Sequence, residues 1–185
     1  SGQETLEYLE NANLFIIPLD NERCWYRYHH LFADLLRQRL GKPKEFAEFH
    51  LRASQWHEEN GDLGAAFHHA IAAGDFVRAA ELAELSWNQM DGIFQSAAWV
   101  GWVKQLPEDV TRVRPLLNTQ MGLSFMDVGD AETSEDRLRE AERLLNGPSD
   151  EMVVVDKSQL QPLPAMIAMA RAYNAQVQGN LSATV

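Results

Sequence analysis

"HLRASQWHEENGDLGAAFHHAIAAGDFVRAAELAE", residues 50–84, decides the fold. Two helix-length runs end at Gly61-Asp62-Leu63 and Gly74-Asp75-Phe76, and the same triplet returns as Gly129-Asp130-Ala131 and, with Asn for Asp, as Gly179-Asn180-Leu181. A glycine can close one helix in the left-handed conformation while the next residue caps the following helix. Ala66, Ala79 and Ala183 each stand four or five residues past such a glycine. Small side chains there let paired helices approach closely. The pattern predicts tandem helical hairpins, a TPR-like α-solenoid. The glycines are spaced 13, 55 and 50 residues apart, so the repeat is looser than the regular one of about 34 residues.

The pattern extends outward on the C-terminal side. "GIFQSAAWVGWVKQLP" stops at Pro107, "PLLNTQMGLSFMDVG" at Gly129 and "DAETSEDRLREAERLLNG" at Gly147. Residues 148–161 read as the longest loop, and "PLPAMIAMARAYNAQVQG" runs to Gly179. "NLSATV" then opens a helix with no room to form, so the array reads as cut mid-repeat. On the N-terminal side, "QETLEYLENA" carries Leu6 and Leu9 at helical spacing. Leu14 to Ile17 are strand formers, Asp20-Asn21-Glu22 is turn chemistry, and Cys24, Tyr26 and Tyr28 alternate with Arg23, Trp25 and Arg27. Residues 14–28 are therefore expected to form a β-hairpin, with Pro18 confining its strand to an edge. Leu31, Phe32, Leu35, Leu36 and Leu40 switch to helical spacing, predicting a helix over 30–40 that stops at Gly41. Helix, hairpin, helix is the order at the end of a winged-helix domain, with the hairpin as its wing.

The expected fold is thus mainly α. Residues 3–41 read as the C-terminal part of a winged-helix domain, and residues 44–185 as a TPR-like helical-repeat region truncated at its C-terminal end.

Composition narrows the function. The 185 residues carry a net charge of −11, which repels phosphate backbones and argues against direct nucleic-acid contact. No run approaches the roughly 20 apolar residues of a membrane span. No basic-then-apolar leader is visible, and Cys24 is the only cysteine. Both suit a reducing, cytoplasmic setting, and Cys24 reads as a small packed hydrophobe. The chain has no GxxxxGK[ST], no HExxH and no GxSxG, so no ATP site, zinc protease or serine nucleophile is expected within it, and it is not read as an enzyme. His50 and His57, seven apart, and the adjacent His68 and His69 match no recognised zinc spacing. Trp56, Trp87, Trp99 and Trp102 are expected to pack between helices. The run from Glu132 to Arg143 is expected to be a solvated face of paired charges.

That leaves the pair His29-His30, where strand becomes helix. One reading makes it a cap or a small-core hydrogen bond at the corner. The other makes it a donor to a phosphate oxygen, since an imidazole on a rigid junction can read phosphate.

"WYRYHHLFADLLRQRL" (25–40), followed by "HLRASQWHEENGDLGAAFHHAIAAGDFVRAAELAE", resembles the large ATP-dependent LuxR-type transcriptional activators, the MalT-like regulators. "WVKQLPEDVTRVRP" and "GDAETSEDRLREAERLL" look like the same family's superhelical arm. The resemblance implies an internal fragment. A nucleotide-binding module of the signal-transduction (STAND) ATPase class would precede the winged helix, and a DNA-binding helix-turn-helix would follow the repeats. ATP or ADP with Mg, an inducer, and self-association then belong to the full-length protein, with no cofactor in the fragment. The fragment's partners would be its own nucleotide module and the neighbouring repeats.

"YHHLFADLL" also resembles the Met-His-Asp-Leu element of relatives in that ATPase class, whose histidine contacts the β-phosphate of ADP. His29 is the matching position. His30 stands where those relatives have Asp, so a part for His30 is the weaker implication. Two functions remain open: the regulatory and sensor fragment of such an activator, or a stand-alone repeat adaptor for a peptide or protein. The hairpin at 14–28 separates them, because a plain adaptor has no use for a wing.

Overall fold

The computed structural model describes residues 2–39, 46–91, 95–155 and 157–177. Contacts divide the chain into two compact units, Ser1–Glu45 and Phe46–Val185. Leu40, the stop at Gly41 and everything from Gly179 onward, Ala183 included, lie outside the described residues.

The first unit is helix, hairpin, helix: α1 (Gly2–Asn11), β1 (Ile16–Pro18), β2 (Tyr26–Tyr28) and α2 (His30–Arg39). The strands pair antiparallel, with Ile16 opposite Tyr28 and Pro18 opposite Tyr26. The hairpin is shorter than the alternation predicts. Asn13, Phe15 and Arg23 take φ of 51°, 62° and 55°, so the backbone turns where an extended strand would continue. The turn is pinned instead by polar contacts. The Cys24 N–H donates to Asp20 Oδ1 at 2.9 Å, and Gln3 Nε2 donates to the Arg23 carbonyl at 2.7 Å. Phe32 of α2 stacks on Phe15 at 4.9 Å and meets Tyr28 edge-on at 5.6 Å. Cys24 is exposed and free, not packed.

The second unit is helical: α3 (Ala47–Glu59), α4 (Leu63–Ala73), α5 (Phe76–Asp91), α6 (Ser96–Val103), α7 (Glu108–Thr111), α8 (Pro115–Asp127), α9 (Ala131–Asn146) and α10 (Leu163–Val177). The expected loop at 148–161 contains two 3-10 turns, Ser149–Glu151 and Lys157–Leu160. The glycine grammar holds at each described site. Gly61, Gly74 and Gly129 take φ of 80°, 76° and 82°. Asp62, Asp75 and Asp130 accept from the N–H of Ala65, Arg78 and Thr133 at 3.0, 3.0 and 3.1 Å. Only a residue without Cβ takes that φ at no cost, and each carboxylate satisfies an otherwise orphaned N–H.

The two tight hairpins, α3–α4 and α8–α9, carry the same device. Ser54 Oγ crosses from α3 to the Ala66 carbonyl at 2.8 Å, and Ser134 Oγ crosses from α9 to the Gly122 carbonyl at 2.7 Å. Each hydroxyl also accepts from a third helix: Arg78 Nε reaches Ser54 Oγ at 2.9 Å, and Asn174 Nδ2 reaches Ser134 Oγ at 3.1 Å. The core between hairpins is aromatic and small together. Ala66, Ala70, Ala79, Ala80 and Ala83 are fully buried, and they admit Trp99 and Phe67. The Trp99 indole N–H donates to the Ala83 carbonyl at 3.0 Å, and that of Trp87 to Ser124 Oγ at 2.9 Å. Trp56 departs from the expected packing. It is 45% exposed, because α3 packs chiefly on α4 and turns only one face inward.

The charged run on α9 is solvated as expected, with Arg139 on Glu135 and Arg143 on Glu140. It also bonds to neighbouring helices. Arg137 grips Glu108 with two contacts of 2.9 Å, and Arg171 of α10 reaches Glu135 and Glu142. Among the described residues no helix is long and apolar enough to cross a membrane.

Candidate functional site

Three polar constellations stand out, one in the first unit and two in the second. In the first, the hairpin hands the chain directly to α2. The His29 N–H donates to the Phe15 carbonyl at 2.6 Å, and the His29 carbonyl accepts from Phe32 and Ala33 at 2.9 Å each. His29 is thus fixed by its backbone as the cap of α2, which leaves its side chain out of the capping task. The His29 ring is half-buried and lies 4.3 Å from the exposed His30 ring, tilted by 32°. Among the described residues neither ring makes a hydrogen bond or ion pair, so the corner offers imidazole nitrogens on a rigid junction.

The second constellation brings together histidines that the sequence left apart. His50 and His57 sit two turns apart on α3, and His69 of α4 lies against both. The Nδ1 atoms of His50 and His69 are 2.8 Å apart, and the His57 and His69 rings stack at 5.4 Å. One Nδ1 must donate and the other accept, so both rings cannot be doubly protonated in this arrangement. Burial, and then the neighbouring charges of His50, His57 and His68, hold the His69 pKa below its usual range. His57 also approaches Asp62 at 3.6 Å. Among the described residues no group of three or more His, Cys, Asp or Glu is arranged to hold a metal ion.

The third constellation was not singled out in the sequence. Arg114, 1% exposed, stands at the turn into α8, where Pro115 starts the helix. It reaches back to α5, with Nη1 at 3.3 and 3.4 Å from the Glu84 carboxylate and Nη2 at 3.5 Å from Glu81. Glu84 is 8% exposed. Its pKa is pushed up to about 7, because burial outweighs the long contacts to Arg114 and Glu81 adds a like charge. Next to it, Gln120 Nε2 donates to the Glu84 carbonyl at 3.2 Å, while Gln120 Oε1 is buried without a donor. Two cavities meet here, of about 190 and 250 Å³, sharing Glu84, Leu85 and Gln159 as common wall. The sequence did hold a signal. Glu84 lies four residues after Ala80 and three before Trp87, on the apolar stripe of α5, where a carboxylate is out of place.

Comparison with known proteins places the first unit. Residues 1–48 match the family model of the MalT winged helix domain, which agrees with the helix–hairpin–helix order. The serine/threonine-protein kinase PknK of Mycobacterium tuberculosis (strains CDC 1551 / Oshkosh and ATCC 25618 / H37Rv) is 34% identical over 130 residues. PknK of Mycobacterium bovis matches to the same degree. The match covers 69% of this chain and 12% of the kinase, so the chain spans a small part of these relatives. No solved structure matches.

Proposed function

We propose that this chain is the regulatory and sensor segment of an ATP-dependent transcriptional activator of the MalT-like, LuxR type, coupling a nucleotide switch to inducer sensing and self-association. The observation that carries the reading is the MalT winged-helix match over residues 1–48, followed by an array of helical hairpins, read as TPR-like. A plain repeat adaptor has no place for such a domain. The similarity to PknK, a kinase by name, suits a segment that handles input, since input modules can serve different outputs.

In this reading the nucleotide, ATP or ADP with Mg, is held by a module outside this chain, which has no phosphate-cradling loop of its own. Bound nucleotide supplies phosphate oxygens, and the His29 ring fits as a donor to one of them. Its backbone is held by Phe15, Phe32 and Ala33, which leaves the imidazole available. With ADP present, His29 would tie the winged helix to the nucleotide module. Exchange for ATP, aided by inducer on the repeats, would release it. Such a switch works only if each ligand favours one state differentially.

The test is made in the full-length parent. His29→Ala should raise basal transcription at normal expression, and unchanged basal activity would remove the role of His29. Sedimentation of the parent should show self-association that depends on ATP. An association state indifferent to nucleotide would remove the switch itself.

A further inference from the structure

Paired cavities lie between α5, α8 and the turn into α10. At about 190 and 250 Å³ side by side, they approach the size of small-molecule sites, roughly 300–1,000 Å³. One end is charged. Glu58, Glu81 and Glu84 meet there with two guanidinium groups, Arg78 on Glu58 at 2.6 Å and Arg114 between Glu81 and Glu84. Among the described residues, with all these groups ionised, that end is one positive charge short. The other end sets Leu85, Trp87, Leu163 and Met166 beside the polar side chains of Asn88, Gln120 and Gln159. An independent observation points the same way. Gln120, 3% exposed, lines this second cavity, pinned by its bond to the Glu84 carbonyl, and its Oε1 lacks a donor. An orphaned buried acceptor is costly unless a partner arrives.

We propose that this slot binds a small organic ammonium ion with an apolar body. Its N–H groups would satisfy the carboxylates of Glu84 and Glu81 and the Gln120 amide oxygen, and its apolar part would lie along Leu85 and Trp87. An alcohol or sugar could donate hydrogen bonds but would bring no charge to balance an ionised Glu84. An anion would meet three carboxylates. The inference deepens the sensor reading and rests on it for its regulatory meaning, since it names the chemistry of an inducer.

The proposal also predicts a proton signature. Glu84 is half protonated near neutral pH, so an arriving cation should drive its proton into the buffer.

Isothermal titration of the 185-residue chain with phenethylammonium chloride at pH 7 tests this, with 2-phenylethanol as the neutral counterpart. The expected result is saturable one-site binding at about 1 mM or tighter, an apparent enthalpy that changes with buffer, and binding of the alcohol roughly tenfold weaker or absent. Glu84→Gln should weaken binding about tenfold or more. Glu81→Gln, at a half-exposed position where folding is not at risk, should weaken it severalfold. No saturable binding of the amine, equal binding of the alcohol, or full binding in both variants would overturn the proposal. Nucleotide-dependent association of the parent is a separate readout, so the site and the sensor reading can fail independently.

Discussion

Replacing Glu84 by Gln keeps the shape of the side chain and removes its charge. In the wild type the folded pKa is about 7, against 4.5 for an unburied glutamate. A raised folded pKa means that the folded state holds the proton more tightly, so stability is fully present below the unfolded value and declines as pH rises toward the folded one. Between pH 5 and pH 8, this shift converts to a decline of roughly 2 to 3 kcal/mol. The Gln variant has no proton to lose. Its stability relative to wild type should therefore improve by that amount between pH 5 and pH 8, whatever the constant offset. That offset has a clear source. Arg114 keeps Glu81 at 3.5 Å and the Val77 carbonyl at 3.5 Å, but loses its more buried partner. Four of the five tryptophans lie in the helical unit, so urea unfolding followed by tryptophan fluorescence at both pH values measures the difference. An offset that stays the same at pH 5 and pH 8 would refute the reasoning, because Glu84 would then titrate as an exposed carboxylate does.

Three further outcomes follow from the packing. An added Cβ at Gly122 would sit 2.5 Å from Leu138 Cδ2, whereas one at Gly101 meets nothing within 4 Å. Gly122→Ala should therefore cost about 1–3 kcal/mol of overpacking, and Gly101→Ala, in an exposed helix interior, should gain about 0.5–1 kcal/mol; thermal melts giving both the same sign would contradict this account of the α8–α9 contact. Ser134→Ala removes a bond to the Gly122 carbonyl and leaves Asn174 Nδ2 without its acceptor, so urea unfolding should show a loss of about 1–3 kcal/mol. The depressed pKa of His69 works opposite to Glu84: its contribution is present above the ordinary histidine value and is lost as pH falls below it. His69→Gln should flatten that acid-side loss in urea titrations, and a slope identical to wild type would show that His69 is not its source.

How much of this was legible in the sequence depends on the range of the interaction that decides it. Gly61-Asp62, Gly74-Asp75 and Gly129-Asp130 were readable because a left-handed glycine and an Asx cap act within a few residues. So were Ala66 and Ala79, whose small size matters wherever the partner helix lies. The hairpin was readable as an element but not in its extent. Alternation at 23–28 describes a strand, and nothing in it shows that Phe15 and Arg23 turn to positive φ. Trp56 departs from its expected burial for a similar reason. Its type says that burial is favourable, while its exposure follows from which face of α3 meets α4.

The candidate sites divide along the same line. The His29 corner could be found because the change from period 2 to period 3.6 happens at that residue, and among the described residues the ring packs on His30 and makes no hydrogen bond. The histidines of α3 and α4 read in the sequence as two unrelated pairs. Only the crossing of the two helices brings His69 against His50 and His57. Arg114 and Glu84 are 30 residues apart, and Arg114-Pro115 reads locally as nothing more than a helix start. Yet the burial of a carboxylate on the apolar stripe of α5 had to be answered by a cation from somewhere, and Arg114 answers it only in part: the contacts are long, the Glu84 pKa stays high, and Gln120 beside it keeps an acceptor unfilled. A helix–helix contact needed only for stability is often served as well or better by apolar side chains of the same volume. An incomplete polar network beside a cavity is costly in the empty protein, and a ligand that completes it removes that cost. This slot, more than the solvated charges of α9, is therefore the place to look for a ligand of the helical unit.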